Sequence, residues 1–252
     1  MTTRRYALRD DQWERIEHML PGRPGDVGVT AKDNRLFVEA VLYRYRAGIP
    51  WRDLPERFGK FNVIHTRFSR WSKKGIWLRV FSVLCEDSDN EYQMIDATIV
   101  RAHQHSAGAK GGGDEAIGRS RGGLSTKIHA TCDALGNPTG FYLSPGQAHD
   151  LQGADVLLNE IEAGALLADR AYDADERLRQ VLIAQQIVPV IPSKSNRKVA
   201  IDYDKELYKA RHLIENFFAK LKQYRAIATR YDKTAVNFLG AVHLAAAVIW
   251  LN

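Results

Sequence analysis

Apolar positions recur at helical spacing over residues 7–20. Leu8, Trp13, Ile16, Met19 and Leu20 share a face, Asp10 and Asp11 sit near the start, and Pro21-Gly22 ends the run. A Gly/Pro-rich stretch follows to about Val29. Asp33 then reads as the cap of a second helix, with Leu36, Val38, Val41, Leu42 and Tyr45 inward and Ala47-Gly48 at its end. Trp51 to Gly59 predicts a short helix closed by glycine. Phe61 to Gly75 predicts the next, packed through Phe61, Ile64, Phe68 and Trp71. A further amphipathic helix from Trp77 to about Cys85 runs into the acidic segment Glu86-Asp-Ser-Asp-Asn90.

Beyond that segment the pattern changes. Tyr92 to Val100 is apolar and β-branched, as in a buried central strand. His103 to Gly123, rich in Gly, Ser, His and charge, predicts a mobile loop. Strands follow at 126–132 and 140–143, joined by the turn Asp133 to Pro138. A helix from Leu151 to about Ile161 is next, with Asp150 read as its N-cap. Strand 165–169, helix 175–186, strand 187–191, a helix starting at Asp204 and a last apolar helix from Thr234 to Trp250 complete the chain. The order βββ-α-β-α-β-α is that of an RNase H-like mixed α/β sheet with flanking helices. It predicts three parts: a small all-α helix-turn-helix-like domain at 1–85, a linker at 86–91, and the α/β domain at 92–252. Only a short loop fits between Ile191 and Asp204, so no large domain is inserted there.

Charge sharpens this division. Residues 1–85 hold 17 Lys/Arg against 9 Asp/Glu, a net of +8, whereas residues 86–252 hold 19 against 21, a net of −2. A basic helical front predicts contact with nucleic acid. On its predicted reading helix Asn62, His65, Arg67, Arg70, Lys73 and Lys74 face outward as candidate DNA contacts. No apolar run is long enough to span a membrane, and none follows Met1-Thr-Thr-Arg-Arg as a signal peptide would, which predicts a cytoplasmic location. Cys85 and Cys132 have no zinc spacing and read as reduced, buried thiols. The glycines of the His103 to Gly123 stretch lack the Gly-Lys-Ser/Thr ending of a phosphate loop, which argues against nucleotide binding there.

Three carboxylates carry the candidate chemistry. Asp96 interrupts the apolar strand 92–100, where an aspartate is costly unless paired or bound to a metal. Asp169 ends the short apolar run Gly164-Ala-Leu-Leu-Ala, at the carboxyl end of a strand, where open α/β sheets bind ligands. Glu215 lies on the helix after Asp204. At roughly 100° per residue, Tyr208, Arg211 and Lys222 fall within about 40° of it. Leu207, Ala210, Ile214, Phe217, Phe218 and Leu221 form the adjoining apolar face. The carboxylate and its cations therefore run along the exposed edge of a half-buried helix. Without a metal the three acids would repel one another. Hard oxygen donors suit Mg²⁺ or Mn²⁺, and three carboxylates can hold two such ions for in-line displacement at phosphorus.

The spacing Tyr208-x2-Arg211-x3-Glu215-x6-Lys222 resembles the glutamate helix of bacterial insertion-sequence transposases of the DDE class, most nearly the IS-five family. Ala168-Asp-Arg-Ala-Tyr-Asp173 resembles that family's second-aspartate motif, and Gly118-Arg-Ser-Arg-Gly-Gly123 its basic stretch. The resemblance extends from about Tyr6 to the end. It implies an RNase H-like catalytic domain with Asp96, Asp169 and Glu215 as catalytic residues and metal ligands for two Mg²⁺ or Mn²⁺ ions. It also implies DNA contacts from Tyr208, Arg211, Lys222, Arg119, Arg121 and Lys127. The partners would be double-stranded DNA, as terminal inverted repeats and target, and a second copy of the chain. Two rival readings share these residues: a DNA-binding regulator on a catalytically silent transposase fold, and a metal-dependent nuclease that does not join strands.

Overall fold

The computed structural model describes residues 6–28, 30–108, 115–159 and 161–252. Four helices come first: α1 (Asp10–Glu17), α2 (Asn34–Ala47), α3 (Phe61–Lys73) and α4 (Ile76–Cys85). Asp33 caps α2 by accepting the Leu36 amide at 2.8 Å. Gly48 ends it at φ 72°, and a Cβ there would stand 2.7 Å from Arg225 Cβ, so both conformation and space demand glycine. The span Trp51 to Gly59 is two 3₁₀ turns, Trp51–Asp53 and Glu56–Phe58, rather than one helix. Leu54, extended ahead of Pro55, breaks it, as a residue before proline tends to do. Phe61, expected in the packed face of α3, is 39% exposed.

The sheet is built from β1 (Tyr92–Ala102), β2 (Gly118–Ser120), β3 (Gly123–Cys132), β4 (Pro138–Pro145), β5 (Ala165–Leu167), β6 (Val188–Val190) and β7 (Thr229–Arg230). Its rows run β4-β3-β1-β5-β6. β3 is antiparallel to both β1 and β4, while β5 and β6 are parallel to β1. This is the RNase H-like arrangement: two hairpins, then two crossovers that return parallel to the first strand. β2 forms a hairpin with β3, so part of the span expected as a loop is ordered strand, carrying Arg119; residues 109–114 of that loop lie outside the described residues.

The crossovers use α5 (Leu151–Leu157) and α6 (Gln180–Ala184), the latter preceded by a π-helical turn over Asp175–Arg179. α5 ends four residues before Ile161, and Asp150 does not cap it. After α7 (Lys205–Tyr208) a 3₁₀ turn at Lys209–Arg211 leads into α8 (His212–Lys222), α9 (Arg225–Ala228) and α10 (Ala235–Trp250). One helix was expected from Asp204 to Lys222. The 3₁₀ turn tightens it just before Glu215 and alters the angular offset of Tyr208.

Strand alternation sorts the sheet residues into two cores. Met94 and Leu167 face Phe217, Leu221 and Ala245, in a core that continues into Phe37, Phe68 and Trp77 of α2, α3 and α4. Ile95, Leu166 and Ala168 face the opposite layer, with Leu151, Leu178 and Leu182. α10 packs against α3 and α4 as well as β4, so the N-terminal helices and the α/β part share one hydrophobic core. No helix among the described residues is long and apolar enough to cross a membrane.

Candidate active site

The parallel register of β1 and β5 sets the site. Its last pair is Met94 with Leu167. Two residues further along stand Asp96, within β1, and Asp169, beyond the end of β5 in still-extended chain; by alternation both fall on the face of Met94 and Leu167, toward α8. Asp169 remains extended, with φ −77° and ψ 175°, and its carboxylate accepts the Ala171 amide at 2.8 Å. Asp96 Oδ1 accepts the Ala97 amide at 2.7 Å, and Oδ2 accepts from Arg211 Nη2 at 2.7 Å. Arg211 Nη1 donates to Glu215 Oε1, also at 2.7 Å. One guanidinium thus ties the strand carboxylate to the helix carboxylate. Among the described residues no three His, Cys, Asp or Glu side chains form a group that could hold a metal ion in this arrangement.

Electrostatics follow from burial. Burial pushes the Asp96 carboxyl up to about 6; Arg211 and the Ala97 amide oppose this, and the charges of Asp169 and Asp150 add to it. Burial works against the charge of Arg211, yet Asp96, Tyr208, Asp169 and Glu215 together hold its pKa above the ordinary value. Arg211 is therefore not an exposed-edge residue: its side chain is 15% exposed, whereas Glu215 is 59% exposed. Tyr208 is half-buried edge-on against Tyr203 at 5.4 Å, within electrostatic reach of Asp169. Lys222 is exposed, two turns beyond Glu215.

Two neighbours were not anticipated from sequence. Tyr172 is fully buried, its hydroxyl has no hydrogen-bond partner, and it feels the charges of Asp150, Asp96 and Asp169. Asp150, read as a helix cap, instead pairs with Lys127 Nζ at 2.7 Å. Lys127, expected to meet DNA, is buried, and its ammonium also donates to the Ala148 carbonyl at 2.6 Å. Asp173 is structural, as its position after Asp169 suggests. It accepts from Arg179 Nε at 2.8 Å, from Arg197 at 2.8 and 2.9 Å and from the Lys194 amide at 2.8 Å, anchoring the segment that carries Asp169.

The remaining candidates lie apart from the carboxylates in sequence and element. Asn62, Arg70, Lys73 and Lys74 are exposed on α3 and beyond its end. Arg67 lies over Phe37 and Trp71 at 4.2 and 4.6 Å and bonds to Asn34, so its stem supports the bundle. Arg67, Arg70 and Lys74 nevertheless line one cleft with Arg79 and the 21–31 loop. His65 packs on Trp51 at 5.2 Å. Arg119 and Arg121 are exposed on the β2–β3 hairpin.

A family model described as "Transposase DDE domain" matches residues 88–250, most of the chain. The chain belongs to this family. A second model, described as "Putative transposase of IS4/5 family", matches residues 8–81 of the same transposase. A Brucella ovis protein named "Putative transposase for insertion sequence element IS6501" is 44% identical over 132 residues, which is 51% of this chain and 100% of the relative. "Uncharacterized protein y4sN" of Sinorhizobium fredii is 47% identical over 104 residues, 41% of this chain and 83% of its own. The solved structure "Crystal structure of a pre-cleavage Mos1 transpososome" aligns over 91% of this chain and 83% of its own at 11% identity and TM-score 0.26, too low a similarity to support any inference.

Proposed function

We propose that this transposase binds the terminal inverted repeats of its own insertion sequence, cuts the DNA there and joins the freed 3′ end to target DNA, using Asp96, Asp169 and Glu215 as a divalent-metal site. The observation that supports this reading is the Arg211 bridge between Asp96 on β1 and Glu215 on α8, with Asp169 just beyond the end of β5, the strand paired in parallel with β1.

The donor set fits Mg²⁺ or Mn²⁺. It is all carboxylate oxygen, and it concentrates negative charge that Arg211 now balances from within the chain. When bound, two such ions supply Lewis-acid charge at the phosphorus undergoing displacement. The residues of the chain do the rest. Asp96 on β1, Asp169 just past β5 and Glu215 on α8 would hold the ions. Arg211, released from the carboxylates, pairs with a DNA phosphate through the same two nitrogens. Lys222 grips the backbone beyond the cut, and Tyr208 bonds a phosphate or stacks on a base.

Residues 1–85 supply end recognition through α3 and its basic cleft, 86–91 link, and 92–252 carry the chemistry. Arg119 and Arg121 reach DNA from the hairpin. A pair of chains holds the two ends of the element for one joining event. Because the helices share a core with α10, binding is tested with the full chain. The experiment incubates full-length protein with Mg²⁺ and duplexes bearing the repeats that flank its gene, scoring binding, nicking and joining separately. Asp96→Asn, Asp169→Asn and Glu215→Gln are expected to bind ends and cut nothing. Cleavage surviving in any of them removes that residue from the site. Nicking without joining supports the nuclease, and binding without nicking supports the silent regulator.

A further inference from the structure

The geometry points to a second nucleic-acid subsite: an aromatic cleft between the Gly48–Arg52 turn and the far end of β1 that takes one unpaired nucleotide of the DNA end. This rests on the reading above, that the chain processes DNA ends.

The cleft has a volume of about 660 Å³ and is walled by Trp51, Phe61, His65, His103 and Tyr231. The rings are already arranged in pairs. Trp51 meets His65 at 5.2 Å, and His103 stacks on Tyr231 at 4.8 Å with 30° between planes. Phe61 and Tyr231 are each 39% exposed although large and apolar. An outward-facing phenylalanine at the start of α3 is unexplained by packing and natural on the wall of a binding cleft.

Charge selects the occupant. Arg44, Arg52 and Lys233 line the cleft, and no Asp or Glu does among the described residues. The Arg44 side chain is only 4% exposed and lies 4.4 Å from the Tyr45 ring centre and 4.9 Å from that of Trp51. Its one carboxylate neighbour, Asp232, stands 3.5 Å from Nη1, and neither Nε nor Nη1 has a hydrogen-bond partner. Asp232 is meanwhile engaged by the Tyr45 hydroxyl at 3.0 Å. A buried guanidinium with unused donors is costly alone, and an oxygen-rich planar ligand would use them. Ring faces for stacking, three cations and a single nearby acid, Asp232 buried behind Arg44, describe a site for an unpaired base with its phosphate. The histidines are not a metal site, since no metal-holding group exists among the described residues.

Position agrees. One wall is the first half of α3, the helix proposed to meet the repeat. The opposite wall continues β1, the strand of Asp96. Seven residues of extended chain separate Asp96 from His103, about 23 Å. DNA running from α3 to the carboxylates would cross the mouth of the cleft. The space accepts one nucleotide, not a duplex.

The test uses full-length protein and terminal-repeat duplexes carrying 2-aminopurine singly at each of the end positions, read by fluorescence. One position, or two adjacent ones, should report unstacking from the duplex when protein binds. A mismatch opposite that position should tighten binding at least about fivefold, because unpairing is then already done. Tyr231→Ala and Phe61→Ala, at half-exposed rings, should keep the wild-type melting temperature and the preference for repeat over random duplex. They should lose the fluorescence response and weaken binding to the mismatched end at least about fivefold. If wild-type protein binds and cuts the repeat while no position responds, or if both variants respond like wild type, the subsite is overturned and the transposase reading stands. If wild-type protein shows no preference for the repeat, the reading of end recognition falls, and this subsite falls with it.

Discussion

Replacing Arg211 by alanine removes the guanidinium that joins Asp96 to Glu215, and its two arms differ in strength. The Glu215 arm is an i,i+4 pair with a 59% exposed partner, so its loss costs only about 0.3–0.5 kcal/mol. The Asp96 arm joins side chains that are 15% and 17% exposed. Removing one partner of a fully buried pair costs about 3–5 kcal/mol, and the residual exposure here lowers the expectation to roughly 2 kcal/mol at pH 8. An arginine on an exposed edge, as the helical spacing alone suggests, would cost about 0.5 kcal/mol. The pH dependence has a definite sign. The Asp96 carboxyl is raised from 3.8 to about 6 in the folded protein, so its favourable contribution is present at low pH and lost as pH rises through about 6. Without Arg211 that pKa climbs further, and the penalty for ionising Asp96 grows above pH 6. At pH 5 both proteins hold Asp96 largely protonated, so the loss shrinks toward the Glu215 arm alone. Urea denaturation of wild type and Arg211→Ala at pH 5 and pH 8 measures this directly. Equal losses at both values, or a loss under about 0.5 kcal/mol at pH 8, would refute the bridge as the feature that holds Asp96 ionised.

Other outcomes follow from single sites. Burial lowers His243 to about 4, so its stabilising effect is complete above the ordinary histidine value and is lost as pH falls toward 4; the contribution is up to roughly 3 kcal/mol, and His243→Leu should flatten the decline in urea midpoint between pH 6.5 and 4.5. Gly240→Ala places a Cβ 2.4 Å from Ser72 Oγ and 3.1 Å from Trp77 Cδ1, where α10 meets α3 and α4; it should destabilise by about 1–3 kcal/mol in thermal unfolding, partly recovered by Ser72→Gly. Lys222 is exposed on the last turn of α8 and makes no hydrogen bond or ion pair among the described residues, so Lys222→Ala should leave stability within about 0.5 kcal/mol while slowing single-turnover cleavage; unchanged cleavage would make it solvated surface.

The fold was legible where periodicity is long. α2, α3, α4 and α10 each show an apolar stripe over two turns or more, and β1 is a single buried run. What sequence could not show was made by tertiary partners. β7 has only two residues, Thr229 and Arg230, and is a strand because Arg101 and Ala102 lie beside it. β2 is a strand because Gly123 to Ser125 fold back on it. The helix from Leu151 starts without a side-chain cap: Asp150, whose residue type signals a cap, gives its carboxylate to Lys127 on β3, a partner that no local pattern reveals. The basic front third also hid its attachment. Phe68 and Trp77 look like the core of a small bundle, and only the structure shows that core extending to Phe217, Phe238 and Ala245.

The candidate site was legible for a different reason. Its residues stand where folding alone would not put them. An aspartate in an apolar strand is costly, and at Asp96 the cost is visible as a carboxyl pushed up to about 6. The sequence marked the strain at each position but not the coupling between positions. The pairing that ends at Met94 and Leu167 brings the chain at Asp96 close to the chain leaving β5 toward Asp169, two segments distant in sequence, and that neighbourhood is a property of the sheet. Arg211 was marked as a cation on the same stripe as Glu215, an i,i+4 arrangement with an ordinary surface meaning. Its second arm, to Asp96 across 115 residues, makes it part of the acidic site, and this arm depends on α8 packing over β1 through Ile214 and Phe217. The helix therefore has two tasks that constrain each other. Its apolar face fixes its height above the sheet, and that height decides whether Arg211 can span from strand to helix. A substitution at Phe217 that tilts α8 should disturb the Arg211 bridge without touching any charged residue, which is why the core beneath this site belongs to its chemistry.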